Sequence, residues 1–180
     1  AAPVLVKEKG ETTVNRWCIK TMAMFHMAND SDLFESLDRE QASSALEHGL
    51  VPLYEGKLFW QFDHRFASFG YSEQRSLLNL NCEQGSLLDV HDVDMTLKRD
   101  RTFRIIPRYW VRHEHVAVRM AEKGWTKTWA LALRNLARAT DERTLIVSVL
   151  PARYALSHSA TLVMPKVSDK KAACLVTLLN

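Results

Sequence analysis

Side chains that could hold a metal ion or move a proton are concentrated among aromatic residues in segment 52–69, PLYEGKLFWQFDHRFASF. The charged or titratable members of this segment are Glu55, Lys57, Asp63, His64 and Arg65. Glu55-Gly56-Lys57 has the E-x-K spacing with which metal-dependent nucleases place a carboxylate on a divalent cation and a lysine beside the attacking water. A further upstream acid would be needed, and the candidates are Asp30, Asp32 and Asp38. A metal-dependent nuclease domain using Glu55 and Lys57 is therefore one hypothesis.

Other catalytic patterns are weaker. His113 and His115 would share a face only on a strand, whereas the segment 113–123 is predicted to be a helix that ends at Gly124. No serine stands in a GxSxG turn, and the cysteines have no general base nearby in the sequence. The chain also has no Gly-rich phosphate loop. We therefore expect no metal, no catalytic residue and no cofactor in this chain.

Positive charge is concentrated in the second half of the chain. Between Lys98 and Arg143 there are twelve Lys and Arg residues against five acidic residues. Arginine, which dominates this surplus, offers a planar fork of donors to phosphate oxygens. The pattern favours a phosphate-contacting surface, and a solvated face of strands and a helix is the alternative.

The elements that position these residues indicate an α+β fold, with a mixed, largely antiparallel sheet and several short helices, because helices and strands do not alternate regularly. The segment 127–139 alternates partly at period two, and 144–150 is a β-branched strand that ends at Pro151. The polar link 140–143 between them predicts a β-hairpin. The segment 50–62 is predicted to be a strand or bent strand pair, with Gly56 at a turn.

The 180 residues are predicted to form a single domain, since no linker or repeat divides them. No apolar run is long enough to span a membrane, so we expect no membrane partner. The three cysteines show no CxxC pair, which is typical of a reducing compartment and favours a cytoplasmic location. The abrupt apolar end AACLVTLLN indicates a fragment of a longer polypeptide.

Several separated segments carry a resemblance to a known family. They are PLYEGKLFWQFDHRFASF, MFHMANDSDLF, ALRNLARATDERTLIVSVLP and the terminal LVTLLN. Their order and approximate spacing resemble Type IIG restriction-modification polypeptides, which join an adenine-N6 DNA methyltransferase to a target recognition domain. In that family a similar GK…FDHR segment leads from the methyltransferase into the recognition part, and a similar hairpin follows. The match departs from the commoner family form at 58–60, so no role is carried onto Trp60.

The resemblance implies that this chain is the target recognition region. The family's Gly-rich S-adenosylmethionine motif and its Asn/Asp-Pro-Pro-Tyr/Phe motif are missing here. S-adenosylmethionine, and Mg²⁺ for cleavage, would therefore belong to the parent polypeptide, which would methylate adenine after flipping it out of the duplex. The implied partners are double-stranded DNA and the methyltransferase core of the same polypeptide. The chain alone is expected to catalyse nothing.

On this resemblance, the basic residues take DNA-binding roles and segment 52–69 becomes a structural junction. The DNA-binding candidates are Arg108, Arg112, Lys127, Arg134, Arg138 and Arg143. The last three, around the predicted hairpin, are candidates for contacts with bases or phosphates, or else for ion pairs with Asp141 or Glu142. The junction residues are Glu55, Lys57, Asp63, His64 and Arg65. The alternatives are the nuclease domain and a domain that docks onto the methyltransferase core or a partner subunit without contacting DNA.

Overall fold

A computed structural model describes residues 7–9, 12–70, 89–137 and 145–180. The strands in these ranges are β1 (Lys7–Lys9), β2 (Thr12–Val14), β3 (Ile19–Ala23), β4 (Leu50–Tyr54), β5 (Ala67–Ser68), β6 (His91–Asp92), β7 (Trp110–Arg112), β8 (Trp129–Arg134), β9 (Val147–Pro151), β10 (Ala155–Leu156) and β11 (Ala160–Pro165). The α-helices are α1 (Arg39–Ser44), α2 (Met95–Arg99), α3 (His113–Glu122) and α4 (Asp169–Leu179). The strand pairings are mostly antiparallel, which confirms the predicted α+β class.

The largest sheet contains four strands in the order β3-β11-β8-β9, and all its pairings are antiparallel. β8 and β9 pair from Trp129 opposite Pro151 to Leu133 opposite Val147, as the predicted hairpin requires. The link between them, residues 138–144 with Arg138 and Arg143, lies outside the described ranges. α4 covers one face of this sheet.

The helix α4 is fixed to the sheet by apolar packing and by hydrogen bonds at both of its ends. Leu175 and Val176 are buried against Val147 and other apolar residues of the sheet. The Ser168 side chain accepts a hydrogen bond from the Lys171 N–H at the first turn, as an N-cap residue does. At the other end, the Asn180 amide accepts a hydrogen bond from the Val147 N–H at 2.8 Å and donates one to the Val147 carbonyl at 2.9 Å. The strand β9 and the helix are thereby tied together.

A second sheet has the order β10-β4-β7, with every residue of β4 buried. Pro52 lies in this central strand although it has no N–H to donate. The short β10 pairs only with Leu53 and Tyr54, so it does not reach Pro52. β7 is the last strand in the order of this sheet, and its Trp110 also bridges to Glu35. The main apolar core lies around these strands and α3.

Glycines with positive φ follow two helix ends, one of them the predicted end at Gly124. Gly49, after the turns that continue α1, has φ +75°, and Gly124, after α3, has φ +64°. Both are left-handed conformations that glycine adopts without steric cost. Within α3, Val116 and Met120 are buried, whereas Val118 is 58% exposed. No helix of the described ranges is long and apolar enough to cross a bilayer.

Candidate nucleic-acid interface

Segment 52–69 leaves β4 through a 3₁₀ turn, Gly56–Leu58, and then reverses direction at residues 61–62. Trp60 and Asp63 close this reversal by exchanging backbone hydrogen bonds of 2.8 and 3.1 Å. Phe62, inside the turn, has φ +59° and is 60% exposed. A bulky side chain in the left-handed region is uncommon and costs about 1–2 kcal/mol. The reversal brings the aromatic rings of this segment against one another.

A cation–aromatic stack runs from Arg134 through this segment to Lys98. The Arg134 guanidinium lies 5.4 Å from the centre of the Trp60 ring, and Trp60 stacks on Phe66 at 5.4 Å. On the far side, Lys98 Nζ lies 5.4 Å from the Phe66 ring and pairs with Asp63 at 2.7 Å. Each cation is therefore held by a ring or a carboxylate. Arg134, predicted to contact DNA, is half-buried in this stack.

Glu55 and Lys57 form an ion pair at 3.2 Å, and Lys57 Nζ lies 4.7 Å from the centre of the Phe69 ring. Arg108, another predicted DNA contact, packs over Phe69 at 5.3 Å. The E-x-K residues lie around a 3₁₀ turn rather than on a strand. Among the residues with described placement, no three His, Cys, Asp or Glu side chains are grouped to hold a metal ion. The geometry thus gives the nuclease hypothesis no further support.

The remaining predicted DNA contacts, Arg112 and Lys127, each pair with an acidic residue. Arg112, at the end of β7, is exposed and pairs with Glu35 at 3.3 Å. Lys127 pairs with Asp169 at the start of α4 and lies 4.9 Å from the centre of the Trp129 ring. Each of the four predicted DNA contacts in the described ranges therefore pairs with a carboxylate or packs on an aromatic ring.

A different set of arginines does converge. Arg65, Arg101, Arg104 and Arg153 line a cavity of about 350 Å³, which we call the arginine cleft. Its walls include Tyr154, with no Asp or Glu of the described ranges among the lining residues. The segments that meet here are the junction after β4, the stretch before β7 and the turn after β9. Because opposite charge is missing from the lining, the cleft is electrostatically suited to an anion.

Two of these arginines are anchored by backbone carbonyls. Arg65 donates to the carbonyls of Lys98 at 2.5 Å and of Asp100 at 2.9 Å, which fixes its guanidinium. Arg104 uses Nη1 to donate to three carbonyls between Arg101 and Phe103, at 2.9–3.1 Å. Its Nε and Nη2 therefore keep donor capacity for a ligand.

The other two arginines are less constrained. Arg101 and Arg153 are both exposed, and neither forms an ion pair with any residue of the described ranges. Arg153 rests over the Tyr154 ring, 5.6 Å from its centre. A guanidinium in this state can approach an anion without first giving up a carboxylate partner. Arg101 and Arg153 are thus the cleft residues best placed to bind an anion.

Tyr54 and His64, which also line the cleft, have pKa values shifted towards their uncharged forms. Burial raises the pKa of the Tyr54 phenol above its ordinary value, and its ring stacks on Tyr154 with 5.6 Å between centres. Burial, assisted by the Arg65 charge, lowers the pKa of His64 below its ordinary value. The positive charge of the cleft therefore comes from its arginines.

The full set of cleft arginines could not be recognised from the sequence. Arg101 and Arg104 were counted in the basic stretch but not singled out, and Arg153 lies beyond that stretch. Comparison with protein-family models, with curated proteins and with solved structures gave no match.

Proposed function

We propose that this chain is the double-stranded DNA recognition region of a cytoplasmic restriction-modification adenine-N6 DNA methyltransferase, and that the arginine cleft contacts the phosphate backbone. The observation that carries the proposal is the convergence of four arginines in a cleft without acidic lining residues; three of them are exposed, and none forms an ion pair with a residue of the described ranges. The resemblance of the sequence segments supplies the remainder of the proposal. In the parent polypeptide, the methyltransferase core would bind S-adenosylmethionine and carry out the methyl transfer.

The chemistry of the cleft suits phosphate oxygens better than it suits bases. Arginine forms charge-assisted, often bidentate hydrogen bonds with phosphate. The cleft arginines Arg65 and Arg104 are held by backbone carbonyls, so part of the ordering cost is met before DNA binds. Phosphate contacts set the position of a protein on the duplex without reading sequence. Base reading by Arg138 and Arg143 stays a prediction.

The test measures binding of a fluorescent duplex by anisotropy over a range of salt concentrations. Each phosphate contact contributes about 0.9 to the slope of log K against log salt. The double variant Arg101→Gln/Arg153→Gln should therefore lower the magnitude of the slope by about 1.8. Arg16→Gln is the control, because Arg16 is also an exposed arginine but does not line the cleft.

Two results would overturn the proposal. One is a wild-type chain without salt-dependent DNA affinity, as a domain that only docks onto protein would show. The other is an equal loss of affinity in the Arg16 control, which would mean that only net charge matters. Urea unfolding of each variant verifies that the fold is retained.

A further inference from the structure

A second cavity adjoins the arginine cleft and shares Pro151 and Arg153 with it. It has a volume of about 730 Å³ and lies between α3 and residues 124–128, and we call it the α3 groove. This size falls within the range of roughly 300–1,000 Å³ that is usual for small-molecule sites. The two cavities therefore meet at one exposed cationic side chain.

The floor of the α3 groove is apolar and well fixed. Its lining includes the buried side chains of Val116, Met120 and Trp125. Trp125 donates from its indole nitrogen to the Trp129 carbonyl at 2.7 Å, and the two indole rings make an edge contact with 5.4 Å between centres. Because this indole N–H is already bonded, the floor presents apolar surface rather than a hydrogen-bonding group.

The polar residues of the lining carry basic or hydroxyl groups. His113, Lys127 and Arg153 contribute basic groups, and Thr126 contributes a hydroxyl that can donate and accept. None of the lining residues, all within the described ranges, is acidic. Lys127 is committed to Asp169, which leaves Arg153 as the exposed cation between the groove and the cleft. A ligand with a flat apolar body and an anionic group at one end matches this pattern.

We propose that the α3 groove binds one unpaired nucleotide of the DNA, with its base against the apolar floor and its phosphate on Arg153. This inference rests on the proposed function, because it places the phosphate of that nucleotide on an arginine that also lines the cleft. A base inside a duplex is stacked and paired, so it can enter the groove only after leaving the stack. That step costs least where the base already lacks a partner. The groove therefore distinguishes an unpaired nucleotide from a paired one.

The experiment compares three duplexes of one flanking sequence: fully paired, with a single bulged nucleotide, and with the bulged nucleotide made abasic. Stacking of a base on protein side chains gives about 1–3 kcal/mol per base, so the bulged duplex should bind about tenfold more tightly than either of the others. Ala121→Trp, which places an indole in the groove, should remove this preference while leaving affinity for the paired duplex unchanged. Ala117→Trp is a second groove-filling variant, should the first not fold. Val118→Trp is the control, since it adds the same bulk to α3 at an exposed position that does not line the groove.

The outcomes separate this inference from the proposed function. Salt-dependent binding of all three duplexes with equal affinity would overturn the groove assignment alone. Equal preference for the base-bearing and abasic bulges would also overturn it, because flexibility of the backbone would then explain the preference. An equal loss of the preference for the bulged duplex in Val118→Trp would also overturn the groove assignment. Failure to bind any of the duplexes would overturn the proposed function itself.

Discussion

Substitution of Arg119 in α3 tests how strongly the contacts of this side chain hold the helix against the core. Its guanidinium donates to Asp30 Oδ1 at 2.7 Å, to Asp30 Oδ2 at 3.2 Å and to the Met24 carbonyl. It also lies 4.0 Å from the centre of the Phe25 ring. Arg119→Met removes all of these interactions while retaining a flexible apolar side chain of similar reach.

The expected loss of stability follows from the partial burial of the Arg119–Asp30 ion pair. The two side chains are 26% and 18% exposed, so the pair lies between the exposed ion-pair limit of about 0.2–1 kcal/mol and the value of about 1.5–3 kcal/mol for hydrogen bonds to charged groups. The contact with Phe25 adds about 0.5–2 kcal/mol. We expect Arg119→Met to lower the free energy of unfolding by about 3 kcal/mol. Arg119→Lys, which keeps the charge but loses the planar fork, should lower it by about half as much.

Urea unfolding of both variants, of Asp30→Asn and of the double variant gives the coupling energy between the two side chains. We expect a coupling energy of about 1–2 kcal/mol. The Arg119 hydrogen bond lowers the pKa of Asp30 below 3.8, so the stabilisation is present above that value and is lost as pH falls through the folded-state pKa. The difference between wild type and Arg119→Met should therefore shrink in acid. A loss below about 0.5 kcal/mol at pH 7, or a coupling near zero, would refute this account.

Two further substitutions test the geometry of segment 52–69, each by urea unfolding. A Cβ on Gly56 would lie 2.7 Å from the Ser159 carbonyl oxygen and 3.2 Å from Arg134 Cγ, so Gly56→Ala should destabilise by about 1–3 kcal/mol; a neutral effect would mean that the two backbones are not so close. Phe62 has φ +59°, so Phe62→Gly should be about 1–2 kcal/mol more stable than Phe62→Ala. Equal stability of those two variants would argue against a left-handed conformation.

Local patterns in the sequence were sufficient to predict the hairpin of β8 and β9 and the end of α3. Gly49 and Gly124 mark positions where the chain needs a positive φ, and that requirement is visible in the residue type itself. Strand alternation likewise depends only on neighbours along the chain. The fold class followed from the order of these elements.

The candidate site could not be predicted in this way, because it depends on contacts between distant segments. Arg134 looks like a free basic residue in the sequence, but it packs on Trp60, which lies 74 positions earlier in the chain. Arg153 is isolated in the sequence and joins Arg65 and Arg101 only when β9 ends beside the junction after β4. Which arginine is committed to a ring and which is left for a ligand is therefore a property of tertiary packing.

The two hydrogen bonds between Asn180 and Val147 bear on whether β9 can pair with a strand of another molecule. β9 is the outer strand of its sheet, and an open outer strand can recruit a strand from another molecule and start aggregation. The Asn180 amide occupies both outward-facing backbone groups of Val147, and the Phe62 N–H also donates to that carbonyl at 3.2 Å. Pro151, at the other end of the strand, has no N–H to offer. At Val147 and at Pro151, a strand of another molecule would therefore lack a free backbone N–H with which to pair.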